Sequence, residues 1–193
     1  LLEPALALAE GRIAVAEPLL RKHLQQFPTD VAAIRMLAEV AARIGRYPDA
    51  ENLLARCLEL APGFKAARHN YAVVLHRNNK PVEALGQIDE LLAADPRSPN
   101  VRNLKASVLA RVGEYDEAIR LYEQLLREYA LQARVWLSYG HALKTAGRQD
   151  DSIAAYRKSI ELEPRLGEAY SSLANLKTFR FAETDVAVMR AQL

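Results

Sequence analysis

Val31 to Phe64 reads VAAIRMLAEVAARIGRYPDAENLLARCLELAPGF. Ile34, Leu37, Ala38 and Ala41 fall at the spacing of one helical face, and Gly45 stops that helix by supplying a residue free to take positive φ. Pro48 stands where a first-turn proline is tolerated, and Ala50, Leu53, Leu54, Cys57 and Leu58 form the next apolar face. Pro62, without an amide and crowding the turn before it, ends the second helix. The stretch therefore predicts helix, short turn, helix, short turn.

Working outward from it in steps of 34 residues, the same signals recur in register. Small residues stand at Ala38, Ala72, Ala106, Gly140 and Ala174, and again at Ala16, Ala50, Ala84, Ala118 and Ser152. Turn residues stand at Gly11, Gly45, Asn79, Gly113 and Gly147, and prolines at Pro28, Pro62, Pro96 and Pro164, with Ala130 the one break. Large residues follow at Leu20, Leu54, Ile88, Tyr122 and Tyr156. The small series have a mechanical reason: helices packing at about 8–10 Å tolerate only Gly, Ala or Ser at closest approach. No β alternation of useful length appears, so the fold class is all-α, built of antiparallel helix pairs.

Composition narrows the functions open to such an array. The 193 residues are 50% hydrophobic and 26% charged, the balance of a chain with a core. Every apolar run is interrupted by charge well short of the ~18–20 residues of a membrane span. A net charge of +2 is too near balance for a general attraction to nucleic acid. One cysteine, Cys57, excludes an internal disulfide and suits a reducing compartment, which points to the cytoplasm. The chain begins Leu1-Leu2-Glu3 and reads as part of a longer product, while nineteen Arg against seven Lys is the usage of a GC-rich, bacterial genome.

The 34-residue period, together with Trp136-x-x-Tyr139-Gly140, Gly113-Glu114-Tyr115-Asp116-Glu117-Ala118 and Pro164, resembles the tetratricopeptide repeat. The resemblance divides the chain into a partial repeat over 1–30, four full units at 31–64, 65–98, 99–132 and 133–166, a first helix of a further repeat over 167–178, and a linker with the start of another helix over 179–193. Arg68 and Arg102 depart from it, standing where the family has an aromatic, as does Lys105 at a leucine position. Pro18 falls inside the first unit's second helix, which is expected to start late or to bend. The resemblance implies a right-handed superhelix whose first helices line a concave groove that binds peptides or other proteins.

On the first helices, the residues opposite the packing stripe are Arg35, Glu39 and Arg43; His69, Val73, His76 and Arg77; Asn103, Ser107 and Arg111; His141 and Lys144; and Ser171 and Asn175. They include five cations and one anion, which would suit an acidic extended segment; the alternative is that they are merely solvated helix faces in an Arg-rich chain. The carboxylate clamp of some family members requires Lys and Asn four apart, where this chain has Arg35 and Glu39. Uncapped terminal faces of a solenoid offer a route to self-association.

No catalytic or metal-ligating set emerges. His69 and His76 lie about 10 Å apart by helical rise, Cys57 sits on an apolar face, and Asp116-Glu117 and Asp150-Asp151 occupy helix starts where they complement the dipole. No cofactor is expected for this chain. At the far end, the stretch from Tyr170 to Phe181 followed by Asp185 to Arg190 resembles the junction of bacterial proteins that fuse these repeats to a sulfotransferase domain. That resemblance implies a parent protein using phosphoadenosine phosphosulfate in a domain outside this chain, with the repeats recruiting the acceptor; a stand-alone scaffold or adaptor is the alternative.

Overall fold

The structure, a computed structural model, describes residues 1–176, 179–181, 183 and 190. Among them there are eleven helices and no strand: α1 Leu2–Ala9, α2 Ile13–Gln26, α3 Val31–Arg43, α4 Tyr47–Leu60, α5 Lys65–Arg77, α6 Pro81–Ala94, α7 Pro99–Val112, α8 Tyr115–Glu128, α9 Ala133–Thr145, α10 Gln149–Leu162 and α11 Gly167–Ala174. The all-α fold of helix pairs expected from the period is what forms. The chain divides into two compact units, Leu1–Val101 and Arg102–Leu193.

Each turn between paired helices is built the same way. Gly11, Gly45, Gly113 and Gly147 take φ between 73° and 94°, and Asn79 takes 60°. Just beyond them, the amides of Arg12, Arg46, Lys80, Glu114 and Arg148 donate back to the carbonyls of Ala7, Ala41, Leu75, Leu109 and Leu143 at 2.8–3.0 Å. This closure consumes the orphan carbonyls at the end of each first helix, and it is possible only with a left-handed residue at the turn.

The second helices end in register too, at Gln26, Leu60, Ala94, Glu128 and Leu162. The residue after each leaves the helical conformation, with φ from −129° to −148° and ψ from 60° to 86°, away from the α region that a following proline disfavours. The fourth of these, Tyr129, adopts that conformation ahead of Ala130, so proline reinforces this stop but is not required for it.

The registered series form the cores. Ala16, Ala50, Ala84, Ala118 and Ser152 are all fully buried, as are Leu20, Leu54, Ile88 and Tyr156, with Tyr122 nearly so. In the first unit, Leu20 shares a cluster with Met36 and Val40, while Leu54 and Cys57 share one with Ala38 and Val74. In the second, Tyr122 packs with Ala106 and Leu143, and Tyr156 with Leu137 and Leu173. Cys57 is a packed thiol: its Sγ donates to the Val31 carbonyl at 3.3 Å, as Ser159 Oγ, three repeats on, donates to that of Ala133 at 2.8 Å.

Two expectations need correction. Helix α2 does not start late: it runs through Pro18 from Ile13, because an amide at 18 is dispensable once Ala16 and Leu20 anchor the helix on both sides. Helix α11 stops at Ala174 rather than continuing to residue 177, and Ala174, the last of its small series, is exposed. Residues 177 and 178 of the expected first helix, and all of the expected helix from 186 except Arg190, lie outside the described residues.

Candidate functional site

In the first unit, α3 and α5 are neighbouring first helices, and between them opens a cavity of about 470 Å³. Five residues expected in the groove line it: Glu39, Arg43, His69, Val73 and Arg77. Arg35 and His76 lie on the same helices but not on its wall. The cavity also takes in Ala38, Ala42, Tyr47, Leu54, Asn70 and Val74, which helical spacing alone did not select. Tyr47 opens α4, a second helix, and Asn70 sits one residue past the stripe, so the reading of first-helix faces missed both.

Charge around this cavity is unevenly engaged. Glu39 is flanked on α3 by Arg35 at 3.4 Å and by Arg43 at 2.6 Å, so its carboxylate is shared between two guanidinium groups. Arg43 also donates to the Leu8 carbonyl at 2.8 Å, which ties α3 to the end of α1. Arg77 is exposed and makes no hydrogen bond or ion pair to the described residues. Burial holds the His69 imidazole below its ordinary value, outweighing a hydrogen bond with Asn70, so His69 is neutral at neutral pH. The rim therefore carries a surplus of positive charge over an apolar floor.

The second unit uses its corresponding positions differently. Ser107 bonds to the Tyr122 hydroxyl, which Ser138 also meets; burial of that phenol pushes its pKa up beyond its usual range. His141 Nε2 lies 3.0 Å from Ser172 Oγ, and its ring sits edge-on to Tyr156 at 5.4 Å. Ser171 Oγ turns back to the Gly167 carbonyl at 3.1 Å. Asn103 is half-buried with Oδ1 lacking a partner, whereas Arg111, Lys144 and Asn175 are exposed. Several of these side chains are thus part of the packing.

The two arginines at aromatic positions are structural as well. Trp136 donates its indole N–H to the Ala130 carbonyl at 2.8 Å, and Arg68, two repeats earlier, donates to the Pro62 carbonyl at 2.8 Å. Arg68 further reaches Gln87 at 2.7 Å and Glu90 at 2.6 Å on α6. Arg102 is nearly buried and forks onto both carboxylate oxygens of Glu128 at 2.8 and 2.9 Å. Sequence periodicity placed these residues but could not show that a guanidinium does the work of an indole.

Elsewhere, Leu2 and Leu6 leave α1 with an exposed apolar stripe. At the other end Phe179 and Phe181 meet edge to face at 5.0 Å and cover the cluster of Leu173 and Leu176, with Arg157 over the Phe179 ring. No group of three or more His, Cys, Asp and Glu able to hold a metal occurs among the described residues, and no described helix is long and apolar enough to cross a membrane.

Comparison with known proteins agrees with this architecture. A family pattern described as tetratricopeptide repeat matches residues 7–61 and 41–108, and a second of the same description matches 103–166. No curated protein matches the sequence. Among solved structures, the chain is similar to TTC0263, a thermophilic TPR protein of Thermus thermophilus, with a TM-score of 0.74, 21% identity, and coverage of 89% of this chain and 95% of that one. It is also similar to MamA of AMB-1, at 0.69, 22%, 84% and 96%, and to YrrB, described as a TPR protein with an unusual peptide-binding site, at 0.65, 16%, 88% and 87%. At these identities the likeness is one of fold.

Proposed function

Because the chain belongs to the tetratricopeptide repeat family, we propose that it is an adaptor that binds an extended, acidic segment of a partner protein between its first helices α3 and α5. The observation that carries this reading is the open cavity between α3 and α5, with Arg77 unengaged at its rim and Glu39 already held by two arginines. A carboxylate-bearing chain would find complementary charge there, and a basic one would not. That one structural neighbour is described as having a peptide-binding site agrees in kind. The free, buried Cys57 supports work in a reducing compartment such as the cytoplasm.

The adaptor reading is favoured over a region that recruits acceptors for a fused sulfotransferase. Leu173, Leu176, Phe179 and Phe181, which carry part of that resemblance, pack into one apolar cluster, so the fold itself accounts for their pattern. Phosphoadenosine phosphosulfate would in that case belong to a domain outside this chain.

The test is fluorescence anisotropy at low salt with an Asp/Glu-rich dodecapeptide containing leucines and with its Lys-substituted counterpart. The acidic peptide should bind more tightly, and Arg77→Glu should weaken it by about tenfold or more while the helical circular dichroism is unchanged. Equal binding of the two peptides, or no effect of the charge reversal, would move the site elsewhere.

A further inference from the structure

The positions of the first helices opposite the packing stripe are not equivalent, and the difference lies at one register position. Residues 5, 39, 73, 107, 141 and 175 are Ala, Glu, Val, Ser, His and Asn, so Val73 is the single large apolar side chain in that row. It is also where the cavity lies. Around Val73 the floor is the buried Leu54 and Val74, while α3 contributes Glu39 and Arg43 together with Ala38 and Ala42, whose small side chains leave the space open. Tyr47, at the start of α4, completes the apolar part of the lining. At about 470 Å³ the space falls within the ~300–1,000 Å³ of sites that bury a ligand group, far more than a crevice between two packed helices needs.

We infer that this cavity is an anchor site: it takes one apolar side chain of leucine or phenylalanine size from the partner segment, with an Asp or Glu of that segment within two residues, on the Arg77 side. The inference rests on the reading of this face as a peptide-binding surface and adds to it a defined residue chemistry. The apolar group covers the partly exposed Val73 and Tyr47 and rests against the buried Leu54. The neighbouring carboxylate meets Arg77, which has no competing carboxylate among the described residues, whereas Arg43 is committed to Glu39 and to the Leu8 carbonyl. His69, neutral on the same wall, supplies a hydrogen-bonding group and leaves the charge preference to the arginine.

A random dodecapeptide display library panned on the full chain tests it. Enriched sequences should share one Leu- or Phe-sized residue with Asp or Glu within two positions. Synthesised singly, they should lose about tenfold or more in affinity to Arg77→Gln and to Val73→Asp, and several-fold to the milder Val73→Thr, should the charged variant fail to fold. Arg120→Gln, which removes the same charge from the second helix α8, should change affinity by less than about twofold. Acidic peptides with no shared apolar residue, indifferent to both Val73 variants, would overturn the anchor and leave the acidic groove standing. Enrichment of basic sequences, or of none, would overturn the groove and the anchor together.

Discussion

Ala38 with Leu54 in the first unit and Gly140 with Tyr156 in the second occupy the same two positions of the repeat, and they solve the same packing problem in opposite ways. In the first unit the branched side chain meets a methyl group, and the neighbouring space between α3 and α5 stays open. In the second, the tyrosine ring lies so close to α9 that a Cβ at 140 would come within 2.5 Å of it, and His141 packs edge-on against the same ring. The comparison teaches that period alone specifies the fold, while the sizes placed on it decide whether a face is left open or filled.

Making the second unit like the first should give the largest effect. Gly140→Ala drives a methyl into the Tyr156 ring, which is fully buried and cannot move aside, and should cost about 1–3 kcal/mol in chemical denaturation. Tyr156→Leu alone should cost about 2 kcal/mol for the buried ring it removes. Together they recreate Ala38 with Leu54, so the costs should fall short of their sum by at least about 1 kcal/mol. Strict additivity would show that the two repeats do not share this contact.

The arginine at position 68 offers the converse exchange. Arg68→Ala removes the donor to the Pro62 carbonyl and the link to α6, for an expected loss of about 1–2 kcal/mol. Arg68→Trp installs the residue that makes the equivalent bond at Ala130, and it should remain within about 1 kcal/mol of the parent. A tryptophan as damaging as alanine would mean that the guanidinium's reach to Gln87 and Glu90, rather than the shared carbonyl, is what matters.

These exchanges also mark what was legible in the amino-acid sequence. The helix order, the left-handed turns and the buried small and large series follow from local rules, because a positive φ, a close approach and an apolar stripe each demand particular residue types within a few positions. The candidate site was legible only as a helical face. Whether Ser107 and His141 are free or bonded to Tyr122 and Ser172 depends on residues a full helix or more away, and spacing along one helix carries no information about them. Tyr47 and Asn70 were missed for the same reason: a cavity is a property of facing elements, and Ala38 and Ala42 shape it by what they lack.

The smallest effect expected comes from the one turn that is not glycine. Asn79 holds φ at 60°, where Gly11, Gly45, Gly113 and Gly147 stand in the other turns. Its loop is clamped by Glu51, whose carboxylate accepts from Asn78 and Lys80, both at 2.6 Å. Burial raises the Glu51 pKa, but these two donors outweigh it and hold the group in its charged form. Asn79→Gly would relieve the small left-handed cost that asparagine bears, and it would free the unfolded chain by a similar amount, so the net change should stay within about 0.5 kcal/mol. Asn79→Val, with a branched side chain that cannot take this φ, should cost about 1–2 kcal/mol. If glycine instead proved as costly as valine, the asparagine side chain itself, rather than its tolerance of the left-handed conformation, would be what sets this turn apart from the other four.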